Sequence, residues 1–255
     1  AADSVVDEIK AAGGEAVANY DNVATMEGGE NIVKTAMDAY GKVDILINNA
    51  GILRDKSFLK MSEAEWDAVI AVHLKGAFCV TQPAAKIMKE NNYGRIIFTS
   101  STSGLYGNFG QTNYGSAKMG VIGLMNTLVQ EGAKYDIRVN ALAPTAGTRM
   151  TEGLIAEEAF ALLTPATVTP AVLYMVGEDA PNKTIICAGA GAYSVAKIIE
   201  TDGVWLSPEE QTPEGIAAHW EAITSPVGEK QPQAGFEQPV KFTAKAMDGL
   251  GLNKD

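Results

Sequence analysis

Between residues 4 and 143 two hydrophobic patterns alternate along the chain. Apolar residues three and four apart predict helices over 4–12, 29–40, 62–90 and 112–134. Short apolar runs between them predict strands at Glu15–Tyr20, Val43–Asn48, Gly94–Ser100 and Ile137–Ala143. Helices that alternate with strands imply parallel crossovers, and the near-continuous apolar character of the later strands implies a sheet covered on both faces. Ser62-Glu63-Ala64-Glu65 has the form of a capping box and opens the long third helix. A helix over 165–178 and an apolar strand at Thr184–Ala188 complete the regular part, which is expected to form one domain over residues 1–200. From 201 to 255 the composition turns to Pro, Glu and Gln, and the pattern predicts an appendage with one helix over 208–223 and a loose tail.

The fold class expected is therefore α/β, a doubly wound parallel sheet of Rossmann-like type. Its opening is unusual. In such a sheet the phosphate-binding turn follows the first, central strand. Here a helix precedes the first strand signal, and Tyr20-Asp21-Asn22-Val23 follows it in place of a Gly-rich turn. If Glu15–Tyr20 is the third strand of the usual series, it lies at one edge and the sheet has a hole at its centre. The expectation is an N-terminally truncated domain, lacking two strands and their crossovers, roughly 50 residues.

Composition narrows the partners. A formal charge of −11 over 255 residues disfavours a general nucleic-acid or anionic-membrane surface, so neither is expected as a partner, and an anionic ligand would need a local basic patch. Two cysteines, Cys79 and Cys187, make neither a disulfide framework nor a metal-ligand pattern, and no metal is expected. They fit buried thiols in a reducing compartment. No uncharged apolar stretch of about 18 residues and no basic-then-apolar leader is present in the sequence.

Candidate chemistry centres on Tyr114-Gly115-Ser116-Ala117-Lys118, with Ser101 thirteen positions upstream of the tyrosine. Four residues is just over one helical turn, so the phenol and the ammonium project from one helix face. A nearby ammonium would lower the phenol's pKa from its usual value near ~10, and a serine hydroxyl could hold a substrate oxygen. Upstream, Asn48-Asn49-Ala50-Gly51 ends an apolar strand; downstream, a strand runs into Pro144. Taken alone the Asn-Asn-Ala-Gly turn is explained by the ease with which Asn and Gly take left-handed turn positions. In this order, however, the four motifs resemble the short-chain dehydrogenase/reductase family over residues 4–195. A closer resemblance, to the (3R)-hydroxyacyl-CoA dehydrogenase subgroup of multifunctional β-oxidation enzymes, rests on three runs. These are Asn48 to Phe58, Gly104 to Gln111, and Ala143 to Thr151.

The resemblance implies an NAD-dependent oxidoreductase that interconverts 3-hydroxyacyl-CoA and 3-oxoacyl-CoA in β-oxidation, with an NADPH-dependent 3-oxoacyl thioester reductase of fatty-acid synthesis as the alternative. A non-catalytic binding protein on the same fold is a third reading, against which the intact Ser101, Tyr114 and Lys118 count. By the resemblance Tyr114 is the general acid/base, Lys118 its partner and the holder of ribose hydroxyls, and Ser101 the group that orients the substrate oxygen. Where most of the family has asparagine, 28 positions before the serine, this chain has His73. The subgroup shares the His-Leu-x-Gly sequence, and His73 is read as a proton-relay or water-ordering residue. Cofactor contacts fall on Asn22 and Val23 for the adenine, Asn49 and Gly51 along the groove, and Ala146, Gly147 and Thr148 at the nicotinamide. The residue that selects NAD or NADP would lie upstream; the subgroup favours NAD. The resemblance also implies a homodimer through the helices at 62–90 and 112–134, and a bacterial cytoplasmic rather than peroxisomal setting.

Arg54, Lys56, Lys75 and Arg149 are candidates for acyl-CoA recognition, and the stretch 150–165, rich in small apolar residues, occupies the place of the family's substrate lid. Two motifs are read as decoys. Gly189-Ala190-Gly191-Ala192 lacks the third glycine of a phosphate loop, and Tyr193-x-x-x-Lys197 has Ala180, not serine, thirteen residues upstream.

Overall fold

The computed structural model describes residues 2–148 and 156–252. These fall into two compact units that divide between Ala196 and Lys197. The first is built on a five-stranded sheet in sequential order: β1 (Ile45–Asn48), β2 (Gly94–Thr99), β3 (Ile137–Pro144), β4 (Ile185–Gly189) and β5 (Ala192–Ala196). Strands β1 to β4 are parallel, with Ile47 level with Ile97 and Ile97 level with Asn140; β5 returns antiparallel to β4. The α/β class and the parallel sheet expected from the apolar runs are what the chain adopts.

Both faces of the sheet are covered. On one, α2 (Met26–Tyr40), α4 (Gly76–Asn91) and α6 (Thr112–Gly132) bury Val33, Val80, Met88, Ile122 and Met125 against Ile96, Phe98 and Val139. On the other, α8 (Thr169–Val176) sets Ala171 and Met175 against Ile97, Leu142 and Ile186. Burying a side chain of this size stabilises by roughly 1.5–3 kcal/mol, which is why β2 and β3 tolerate so few polar residues. The capping box is present as read: Ser62 accepts from the Glu65 amide and the Glu65 carboxylate accepts from the Ser62 amide, starting α3 (Glu63–Ile70). Between α3 and α4 the helix widens into one π turn, Ala71–Lys75, where the Gly76 amide donates to Ala71. Glu63–Asn91 is the one stretch among the described residues long and apolar enough by composition to cross a membrane, and its inner face is spent on the core.

Several expectations fail for identifiable reasons. Glu15–Tyr20, after α1 (Ala2–Ala11), is extended but pairs with no strand; side chains tie it down instead, the Asn19 amide donating to Asp21 and Thr35. Strand-like residues do not make a strand without a neighbour to take their backbone hydrogen bonds. The sheet consequently has no central hole. It ends at β1, where Ile45 and Ile47 remain 46 and 43% exposed. The polar-looking Ala192–Ala196 became a strand because Ala190 and Gly191, with φ of 50° and 77°, fold β4 back on β5 in a two-residue hairpin. That disposes of the phosphate-loop decoy, and it leaves Tyr193 and Lys197 outside any helix.

The second unit contradicts its predicted single helix and loose tail. Residues 208–223 break into a 3-10 turn at Pro208–Glu210 and two short helices, α9 (Pro213–Ala218) and α10 (Trp220–Ile223). The segment read as tail holds α11 (Glu237–Gly249). Lys241 pairs with Glu200 and Lys245 with Asp202, fixing α11 to the start of its own unit.

Candidate active site

Three elements deliver the chemistry to the carboxyl ends of β1 and β2. Ser101 stands immediately beyond β2 as the N-cap of α5 (Thr102–Tyr106), its hydroxyl accepting from the Ser103 amide at 3.2 Å. Tyr114 and Lys118 lie one turn apart in the first half of α6, and Lys118 is buried. The phenol hydrogen-bonds to the Ser101 hydroxyl. The Lys118 Nζ sits 5.5 Å from the centre of the Tyr114 ring and donates to the Thr99 carbonyl at 2.5 Å. The trio inferred from spacing is therefore assembled.

Its electrostatics differ from the simplest expectation. Burial holds the Tyr114 phenol above its ordinary range, and the Ser101 hydrogen bond offsets only part of that. Lys118 does not reach the phenolic oxygen to lower its pKa; its ammonium is committed to the backbone, and burial brings its own pKa down to about 8. In this state the phenol is a proton donor in waiting.

His73, carried by the π turn, is 5% exposed and meets Tyr114 in a T-shaped pair with ring centres 5.0 Å apart. Its Nε2 lies 3.0 Å from the Ile52 amide and 2.8 Å from the Ile52 carbonyl. Burial and the Lys118 ammonium push its pKa down to about 4, so the ring is neutral. Gly51 is required here for a steric reason. A Cβ at that position would stand 2.5 Å from the His73 Cε1.

Sequence reasoning missed Asn113, which is wholly buried beside Tyr114. Its Oδ1 accepts from the Tyr114 amide, and its Nδ2 donates to the carbonyls of Arg54 and Glu65 at 3.1 Å each, clamping the start of α6 to the β1–α3 connection. A polar residue on the inward face of a helix turn was the available signal. Gln111 adds a second tie, donating to Asp55 and accepting from Ser103.

A cavity of about 140 Å³ adjoins this cluster, walled by Val23, Leu46, Asn49, Ala50, His73, Phe98, Thr99 and Lys118. Of the cofactor contacts expected, Val23 and Asn49 line it, and the Asn49 Oδ1 accepts from the Thr99 hydroxyl at 3.1 Å. Asn22 turns its side chain to the Ala24 amide instead. Ala146 packs into the core beneath α8, and the Gly147 amide donates to Leu163. Thr148 is the last residue described before Arg149, which with most of the early lid stretch lies outside the described residues; the later part forms α7 (Glu157–Leu162). Arg54 and Lys75 are exposed, and the Lys56 amide is pinned to Gly110. The cavity sets an apolar wall beside amide, hydroxyl and ammonium groups, a lining that suits the ribose and ring of a dinucleotide. Among the described residues no His, Cys, Asp and Glu cluster could hold a metal ion.

The family model for the short chain dehydrogenases matches residues 1–159. A short-chain type dehydrogenase/reductase of Mycobacterium tuberculosis is 48% identical over 237 residues, covering 92% of this chain and 82% of its own. Peroxisomal multifunctional enzyme A of Dictyostelium discoideum is 51% identical over 226 residues, covering 88% of this chain and 50% of its own. The full-length peroxisomal multifunctional enzyme type 2 of Drosophila melanogaster superposes with a TM-score of 0.84 at 39% identity, covering 98% of this chain and 44% of that one. The chain thus spans about half the length, or less, of the two multifunctional relatives. With Ser101, Tyr114 and Lys118 converged at the ends of a parallel sheet and these likenesses beside them, the chain belongs to the short-chain dehydrogenase/reductase family, as an oxidoreductase that takes a nicotinamide dinucleotide.

Proposed function

We propose that this oxidoreductase interconverts (3R)-3-hydroxyacyl-CoA and 3-oxoacyl-CoA with NAD, as in fatty-acid β-oxidation. The observation that carries the reading is the Tyr114 phenol hydrogen-bonded to Ser101 while buried Lys118 stands over its ring. The likeness to multifunctional β-oxidation enzymes supports the thioester substrate. Lys118 and Tyr114 would hold the ribose hydroxyls, Val23 and Asn49 would wall the groove, and Asn22 and Ala146 to Thr148 would be the outer contacts. The bound nicotinamide supplies a ring that accepts or returns hydride.

The chain's own groups handle the proton. Ser101 orients the substrate oxygen, and Tyr114 exchanges a proton with it. Because the phenol is held above its ordinary pKa, it is protonated at neutral pH and suited to donate to a 3-oxo group; the oxidative direction requires the phenolate. Hydroxyacyl oxidation therefore rises with pH, and oxoacyl reduction falls as the phenol is titrated. A homodimer through α3, α4 and α6 is part of the proposal, supported by the exposed Phe78 and Met119 on those helices. So is a bacterial cytoplasmic setting, in keeping with the mycobacterial relative.

The test is turnover of CoA and acyl-carrier-protein thioesters with NAD and with NADP, for the wild-type chain and for Tyr114→Phe. The expected result is NAD-linked turnover of the CoA thioester, reduced by about 10³-fold in the variant. A preference for NADPH and the carrier-protein thioester would move the chain to the biosynthetic reductases, and Tyr114→Phe at wild-type rate would remove the phenol from the chemistry.

A further inference from the structure

His73 combines three features that an ordinary core histidine lacks. Its ring fills the space a side chain at position 51 would need. Its Nε2 faces the amide and the carbonyl of one residue, Ile52, at nearly equal distances. Its Nδ1 is buried with no hydrogen-bond partner, the one such side-chain atom among the described residues. Leaving a buried nitrogen unpaired costs stability, so a group that persists in this state at the edge of a cavity marks a place where a ligand completes the bonding.

The Ile52 contacts define what Nδ1 can do. With the proton on Nε2 the ring donates to the carbonyl and Nδ1 is a bare acceptor. With the proton on Nδ1 the ring accepts from the amide and Nδ1 becomes a donor. Either tautomer keeps the turn fastened, and neither carries charge. The ionisable groups packed about the ring are Lys118 and Tyr114 on α6, with Asp55 acting on Tyr114 from the β1–α3 connection. Protonation beside the Lys118 ammonium is disfavoured, so the ring answers a ligand by changing tautomer and not by ionising.

We propose that His73 is a positioning residue: it fastens the Gly51–Ile52 turn through Nε2, braces the Tyr114 ring, and presents Nδ1 to a hydroxyl group that enters the cavity beside Lys118. Its action on the reaction passes through Tyr114, and this part rests on the acid/base role given to that residue above. The binding part does not, since a hydroxyl at Nδ1 is detected without turnover.

The experiment exploits the scarcity of histidine, His73 and His219 being the only two in the chain. With His219→Gln as background, ¹⁵N-histidine NMR reads the two ring nitrogens of His73 alone. The expected signature at pH 6 is one neutral imidazole, whose Nδ1 resonance moves when NAD is added and whose pattern changes in Tyr114→Phe. Imidazolium signals at pH 6, or no response to either change, would overturn the proposal. A shift already present without NAD and unchanged by it assigns the hydroxyl to water, and a shift that needs NAD assigns it to the dinucleotide; both support the site.

In turnover, His73→Phe keeps the ring and its bulk but removes both nitrogens. Its kcat should fall about 10- to 100-fold while KM for thioester and dinucleotide holds within about twofold, with the basic limb of the pH profile displaced. His73→Asn, which restores a donor and an acceptor, should recover part of the loss. Wild-type kcat in His73→Phe would sink the positioning role. If the wild-type chain turns over no hydroxyacyl thioester, it is the dehydrogenase reading that fails, and the NMR arm still decides His73.

Discussion

Where β2 and β3 begin, Arg95 is fully buried and every direction of its guanidinium is answered: Gly177 and Gly94 carbonyls, the Asp136 carbonyl and carboxylate, and the face of Tyr93 4.3 Å away. Asn140 nearby is equally complete, donating to Pro181 and accepting from Thr184. Where β1 and β2 end, His73 is almost as deeply buried, yet one of its nitrogens has no partner and Lys118 has surrendered much of its basicity. Both regions hold polar groups inside a dry interior. A satisfied cluster is a fastening, whereas an unsatisfied one is kept chemically available at a cost the rest of the fold must absorb.

The contrast can be broken by exchanging the loss each end suffers. Arg95→Met should lower unfolding free energy by about 3 kcal/mol, since carbonyls are stranded and Asp136 loses its buried partner, while activity per folded molecule stays at the wild-type level. Urea denaturation and active-site titration on the same samples would separate the two, and a loss of kcat in the folded fraction would erase the distinction between the ends.

A pH series sharpens it. His73 has a folded pKa of about 4 against an ordinary 6.5, so the unfolded chain binds the proton first. The stability tied to the neutral ring is present above the unfolded value and is lost as pH falls from about 6.5 to about 4, on the order of 3 kcal/mol. The wild-type and His73→Gln denaturation midpoints should converge over that interval. Parallel curves would show that the ring is not held neutral by its burial.

The smallest effect lies away from both clusters. Ala190 pays for a left-handed conformation in the β4–β5 hairpin, and Ala190→Asn beside Gly191 gives the turn its preferred pair. A gain of about 0.5–1 kcal/mol is expected, with kcat unchanged.

The strands and the site were unequally legible, for reasons visible in particular residues. β2 and β3 announce themselves because residues buried on both faces leave unbroken apolar runs. Glu15–Tyr20 carries a similar signal and fails, because a strand is a relation between two segments and composition describes only one. β5 was hidden by the reverse situation: its polar alternation suits an edge, and only Ala190 and Gly191 reveal the reversal. Pro and Gln in the last fifty residues obscured α11, whose ion pairs to Glu200 and Asp202 are long-range. Ser101, Tyr114 and Lys118 were readable since their spacing is local to two elements. Asn113 and the unpaired nitrogen of His73 were not, as both depend on what the β1–α3 connection brings against them.

The π turn at Ala71–Lys75 has a consequence for how the long helix can change. One extra residue per turn puts the segment after it out of phase with the segment before it by about 100°. Val69 can therefore face inward upstream while Ala77, Val80, Ala84 and Met88 face inward downstream. Insertions and deletions are usually harmless only in loops, and here a rigid helix carries one in its middle as a gear tooth. Shortening it by a single residue would smooth the helix and turn the whole of α4 away from the sheet.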